Sequence, residues 1–168
     1  LMTIRVSSLV TAHEIINTLC FRKQVIQTHN IKIFIKYLIL FLLGGYTYYG
    51  IEILWRGYSH YSMIICGGIC FIYAGLQNEQ VEWDYPFWKQ VLRVEAFILS
   101  AEFITGCIVN LWLGLNVWDY SDLPGNILGQ TCPQFALLFL PLSAIAIIVD
   151  DFIRWKWFGE EKPRYKWR

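Results

Sequence analysis

The segment from Glu95 to Gly129 reads EAFILSAEFITGCIVNLWLGLNVWDYSDLPGNILG, and its reading decides the fold class. It joins an apolar run long enough to cross a bilayer to a loop of aromatic and acidic residues, Trp118, Asp119, Tyr120 and Ser121. Within the run stand two carboxylates, Glu95 and Glu102. A charge at such a depth costs roughly 2.5–3.5 kcal/mol on insertion scales, so it faces protein or water and not lipid. Helical spacing places Glu95, Leu99, Glu102, Gly106 and Leu113 on one face, with Asn110 beside it. Glu102 then lies about 15 Å along the helix, near the bilayer midplane. Two readings of Glu102 stay open here. It is a neutral acid donating to a carbonyl or hydroxyl, or it binds a proton, cation or substrate in a polar cleft between helices.

Outward from this segment, three more apolar blocks reach the roughly 20 residues that a hydrocarbon core of about 30 Å requires. The spans are expected at about 35–55, 60–78, 91–114 and 129–150. Hydrophobic residues make up 56% of the chain and charged ones only 16%, a balance that a soluble domain of 168 residues does not show. Of the 14 Lys and Arg residues, all but Arg56 lie before the first span, between the second and third, or after the fourth. The positive-inside rule then puts both termini in the cytoplasm. The fold class expected is therefore all-α, an integral membrane four-helix bundle. Its domains are a cytoplasmic tail or amphipathic segment over 1–30, a four-helix transmembrane domain over 31–153, and a basic, aromatic cytoplasmic tail over 154–168.

In residues 1–30, His13, Glu14, Asn17, Arg22 and Lys23 interrupt any secretory apolar core. Ala12, Ile15, Ile16 and Leu19 share helical spacing, as a surface-lying amphipathic helix would. The first span carries Glu52 and, four residues later, Arg56, the favourable order for an intrahelical ion pair. Arg56, alone on the outer side, is also placed to reach Glu102 or the loop acids. The short link through Gly57 and His60 makes the first two spans antiparallel neighbours. In the second span Ser62, Cys66, Cys70, Ala74 and Asn78 recur every four residues, a small-residue stripe for helix packing. Between spans two and three, Glu82, Trp83 and Asp84 precede Pro86, which interrupts any continuous helix. Pro141 lies inside the fourth span, where a bundle can absorb the lost hydrogen bond.

The chemistry that the sequence excludes is equally informative. No phosphate-binding loop, nucleophile elbow, H-E-x-x-H pair or glycine-rich dinucleotide loop occurs. The basic residues flank membrane spans instead of clustering on a folded face, which argues against nucleic-acid binding. The five cysteines form no C-x-x-C pair, and His60 has no second ligand at metal spacing. No catalytic residue, metal or cofactor is expected. An intramembrane enzyme would have to draw on His60, Asp119 or Ser121, whose spacing forms no convincing catalytic set.

The cluster YYGIEILWRG (Tyr48 to Gly57), the segments SHYSMIICGG and AEFITG with Asn110, and above all WDYSDLPGNILGQ resemble the CmpB-like membrane proteins of bacteria. That family is assigned to the ABC-transporter type IV permeases, and the resemblance covers about residues 36–150. It implies a multi-pass protein of the bacterial inner membrane, a permease-like subunit with a polar intramembrane cleft. Matching positions are Glu52, Arg56, Glu102, Thr105, Gly106, Asn110, Trp118, Asp119, Tyr120, Ser121, Asn126 and Gly129. Of these, Glu52, Arg56, Glu102 and Asn110 are the candidate substrate- or ion-binding set, and Trp118, Asp119, Tyr120, Ser121, Asn126 and Gly129 form an outer-loop motif. The partners expected are the lipid bilayer, an ATPase or other membrane subunit, and a second copy of the chain. The alternative is a structural or regulatory membrane protein whose buried acids only stabilise the bundle.

Overall fold

The computed structural model describes residues 2–81 and 85–167, with side chains from residue 23 onward. The proposed amphipathic face of Ala12, Ile15, Ile16 and Leu19, and the loop residues Glu82, Trp83 and Asp84, lie outside what is described. Six helical segments follow in order: α1 (Met2–Arg56), α2 (Tyr61–Gly75), the single turn α3 (Gln77–Gln80), α4 (Phe87–Gly106), a π-helical continuation (Cys107–Trp112) and α5 (Pro133–Phe158). Among the described residues no strand forms, and the two isolated bridges pair Pro86 with Lys166 and Ile127 with Thr131. Four stretches are long and apolar enough to cross a membrane: Lys23–Arg56, Tyr61–Gln80, Phe87–Trp112 and Pro133–Phe158.

The chain divides into two units, Leu1–Leu38 and Ile39–Arg168. The first is the helical beginning of α1. Its described side chains leave Val25, Ile26, Ile31 and Phe34 exposed, and Thr28 donates back to the carbonyl of Gln24 at 2.9 Å.

In the second unit α2, α4 and α5 pack against one another. Towards one end Met63, Val109, Val117 and Trp118 form an apolar cluster, and towards the other Ala74, Phe87, Val94 and Ile147 form a second. Ser62, Cys66, Cys70 and Ala74 of the small-residue stripe are buried, and Asn78 is half-buried. The distribution of polarity is that of a membrane protein turned toward lipid. Glu95, Glu102, Asp150, Asp151, Arg154, Gln77 and Gln90 are buried, whereas Leu54, Ile104, Leu111, Leu137 and Ile145 are exposed. A soluble domain rarely shows so much contiguous apolar surface, and buried polar groups of this kind tie spans together in lipid. Ser143 of α5 does so by donating to Glu95 of α4 at 2.8 Å.

Helix α1 meets α2 through close backbone approach. A Cβ added at Gly68 would stand 2.7 Å from the Phe41 carbonyl oxygen, and one at Gly45 would overlap the Ile64 carbonyl. Backbone cannot yield as a flexible side chain can, so Gly45→Val is expected to lower stability by about 1–3 kcal/mol through overpacking. Thermal unfolding in detergent checks this; a midpoint equal to that of Gly50→Val, where a Cβ meets nothing within 4 Å, would refute the packing account.

Pro86 begins the fold back into the membrane as expected, directly before α4. Helix α5, the expected fourth span, continues past the expected end of that span, to Phe158, and carries Arg154 inward. Arg154 is only 2% exposed, so this residue is not one of the surface cations of the tail. Its Nε pairs with Asp150 and its Nη1 lies 2.7 Å from Glu79. The chain after α5 then returns to α4: Phe87 N donates to the Lys166 carbonyl at 2.7 Å, and Tyr165 OH donates to Asp151 at 2.6 Å. Burial, followed by the Asp151 hydrogen bond, pushes the Tyr165 phenol above its ordinary pKa.

Candidate functional site

The stripe that runs along the C-terminal half of α4 and its π-helical continuation receives the loop between α4 and α5. At its deepest point Glu102 is 3% exposed and accepts hydrogen bonds from Tyr120 OH at 3.2 Å and Thr131 OH at 3.3 Å. One turn up, Gly106 leaves room for the Trp118 indole and the Gln130 side chain; a Cβ there would stand 2.9 Å and 2.5 Å from them. One turn further, Asn110 donates to Gln130 Oε1 at 2.7 Å and accepts from the Val117 amide at 2.7 Å. Asn110 sits in the π-helical turn, where the Leu113 amide reaches back five residues to Ile108. Such turns leave irregular backbone groups that a side chain can satisfy. Of the face read from helical spacing, Glu102, Gly106 and the adjacent Asn110 meet the loop, whereas Glu95 turns to Ser143 of α5 and Leu113 is exposed.

The loop is held by its own motif residues. Trp118 Nε1 donates to the Gln130 carbonyl at 3.0 Å, and Tyr120 N donates to the Gly129 carbonyl at 2.8 Å. Asp119 accepts from the Ser121 amide at 2.9 Å and the Ser121 hydroxyl at 2.5 Å, and these two bonds hold its carboxyl below the usual carboxylate range. Asn126 donates to the Leu123 and Ser121 carbonyls and accepts from Gly129 N at 2.9 Å. Gly129 adopts φ +68°, a left-handed conformation suited to glycine. Burial first, then the neighbouring Glu102 charge, raises the Tyr120 phenol above its ordinary pKa, so it stays a donor. Its ring stacks on Phe135 of α5 at 4.4 Å.

Across from this loop, Arg56 donates to Glu52 at 2.8 Å and to the Val117 carbonyl at 3.1 Å. Glu52 also accepts from the Ser59 hydroxyl. The guanidinium therefore clamps the end of α1 to the loop backbone, and its hydrogen bonds go neither to Glu102 nor to the loop acids. His60 caps α2, its ring accepting from the Ser62 amide at 3.3 Å. Among the described residues no group of three or more His, Cys, Asp or Glu is placed to hold a metal.

Two connected cavities open between α1 and α5. The inner one, about 210 Å³, is walled by Leu43, Thr47, Tyr48, Cys66, Glu102 and Leu142, among others. The outer one, about 450 Å³, includes Glu52, Arg56, Tyr120 and Phe135, and shares Tyr48, Ile51, Phe139 and Leu142 with the first. The two volumes bring Glu52, Arg56 and Glu102 of the expected set to one crevice. Asn110 lines neither and belongs to the loop network.

The matching family model spans residues 39–159 and carries the description "Putative ABC-transporter type IV". The chain belongs to the CmpB family. The CmpB match begins where the second compact unit begins, at residue 39, and takes in every residue of the crevice and of the loop network. No curated protein and no solved structure matches the chain.

Three contributors were not singled out from the sequence as site residues. Gln130 and Thr131 close the quoted loop segment, and polar residues at the end of a turn-rich stretch were the available signal. Tyr48 lies one helical turn before Glu52 on α1, a spacing that marks it as a wall of the same crevice.

Proposed function

We propose that the chain is a permease-like subunit of the bacterial inner membrane, crossing it four times with both termini cytoplasmic. In this reading it has no enzymatic activity of its own and works with an ATPase or a further membrane subunit, or as a homo-oligomer. The family description and the four apolar helices support a membrane protein of ABC-transporter type. The near-exclusive placement of Lys and Arg on one side of a four-span topology supports the orientation. Reporter tags fused at each end should both be found on the cytoplasmic face; tags on opposite faces would remove the topology.

The single observation that carries the transport reading is Glu102. It is a carboxylate midway along a span, on the wall of a cavity, held by hydroxyls from the loop that closes the outer end. A substrate or ion entering from either side would compete for that carboxylate, and Tyr120 and Thr131 would report its arrival to the loop. Glu102→Gln keeps the shape and removes the charge. In proteoliposomes containing the chain with its copurified partners, this variant is expected to reduce solute flux at least about 10-fold, as loss of a charge-assisted contact implies, with helicity unchanged by circular dichroism. Undiminished flux would count against the site.

A second reading is favoured by the loop itself. Trp118, Asp119, Ser121, Asn126 and Gly129 spend their hydrogen bonds inside the protein, as a structural membrane subunit would have them do. There Glu102→Gln would lower thermal stability and leave every flux unaltered.

A further inference from the structure

The walls of the crevice carry two carboxyl side chains, Glu52 and Glu102, and one guanidinium, Arg56. Among its acidic and basic residues, Glu52 and Arg56 pair with each other at 2.8 Å, whereas Glu102, among the described residues, has the neutral hydroxyls of Tyr120 and Thr131 as its hydrogen-bond partners. Apart from Thr47 and the thiols of Cys66 and Cys70, the remaining lining is apolar or aromatic, and it includes Tyr48, Tyr120, Phe135 and Phe139.

Part of the apolar wall of the inner cavity is itself exposed on the surface of the bundle. Ile51 on α1 and Ile145 and Val149 on α5 line the inner cavity, yet they are 41%, 56% and 41% exposed. A molecule reaching Glu102 by this route would pass between apolar side chains of two membrane-spanning helices. It would need an apolar body to travel there.

We propose that the crevice between α1 and α5 binds an amphiphilic organic cation, a protonated amine or quaternary ammonium with an apolar body, entering from the bilayer and resting its charge on Glu102. The ammonium would sit against the carboxylate and the faces of Tyr48 and Tyr120, where carboxylate attraction and cation–π attraction act together in a medium with little water. Its apolar part would lie along Leu142, Ile145 and Val149. The outer cavity, about 450 Å³, lies within the range of roughly 300–1,000 Å³ usual for small-molecule sites, and the inner one, about 210 Å³, is smaller. An anionic amphiphile would meet Arg56 already occupied by Glu52 and Val117, and would be repelled by Glu102.

This inference rests on the permease reading for the identity of the site and names the class of its ligand. The test is binding of tritiated benzyltrimethylammonium to the purified full chain, with three competitors: the same cation unlabelled, its neutral isostere neopentylbenzene, and phenylmethanesulfonate. Saturable binding is expected, with the cation competing about 10-fold better than the neutral isostere and the sulfonate not competing. Binding should disappear in Glu102→Gln and return in Glu102→Asp. Equal competition by cation and isostere, preference for the sulfonate, or no saturable binding would each overturn the proposal. The comparison of competitors needs only the natural chain, so it decides even where a variant fails to fold. Binding without flux in proteoliposomes would keep this inference and remove transport; Glu102-dependent flux of a solute with no preference for cations would do the reverse.

Discussion

Arg154→Ala is expected to lower the stability of the protein by about 3–5 kcal/mol, the usual cost of removing one partner of a buried ion pair. The guanidinium is 2% exposed, and Asp150, its neighbour one turn before, is fully buried. Arg154 also bonds Glu79 in α3 and approaches Glu160 at 3.9 Å in the segment after α5, so one cation joins three parts of the chain. Truncation leaves the Asp150 carboxylate buried beside Gly75, where a Cβ would overlap it. Thermal unfolding followed by tryptophan fluorescence, with exposed Lys162→Ala as the reference, measures the effect. A midpoint within error of the reference would show that the network contributes nothing. Replacing Arg154 and Asp150 together by Met and Leu should recover much of the loss, because no unpaired charge then remains.

Trp118→Ala should be of similar size, about 3–5 kcal/mol, as for other buried tryptophans. The indole is 4% exposed and packs with Met63, Val109 and Val117. Its Nε1–H satisfies the Gln130 carbonyl, and its ring fills the space that Gly106 leaves on α4. Losing it leaves a cavity and frees Gln130, which in turn holds Asn110. Hydrogen exchange over 113–131 is therefore expected to accelerate more than exchange in α2 or α5. Trp118→Phe, which keeps most of the packing and loses one hydrogen bond, should cost only about 1 kcal/mol. Uniform acceleration across all helices, or equal loss from Phe and Ala, would show that Trp118 is a general core residue and not the anchor of the loop.

How much of this was legible in advance differs between parts of the molecule. The number of helices long and apolar enough to cross a membrane could be read directly, since bilayer thickness fixes the length of an apolar run independently of what packs against it. The Glu102, Gly106, Asn110 stripe was legible for the same kind of reason: helical period is local. Its occupant was not, because the loop reaches it from residues 117 to 131, and a turn-rich segment carries no periodicity that says where its side chains dock. Asn110 shows the difference. Spacing put it on the face of Glu102, but a hydrogen bond to Gln130 assigns it to the loop and not to the crevice. Arg154 shows the converse. In sequence it opens a basic tail, and charge counting naturally groups it with Lys156 and Lys162; only the acids brought beside it by α3 and α5 make a buried position tolerable.

By itself, the sequence determined that the chain is helical, that it holds four runs long and apolar enough to cross a membrane, and that a carboxylate stands midway along one of them. These follow from composition and local period, which need no knowledge of neighbours. The tertiary structure alone decided that two hydroxyls hold that carboxylate, that Arg56 and Glu52 neutralise each other, and that α1 and α5 leave a crevice beside Glu102. Each of those is a contact between residues distant in the chain, and the energy that selects it lies in packing and charge pairing across helices.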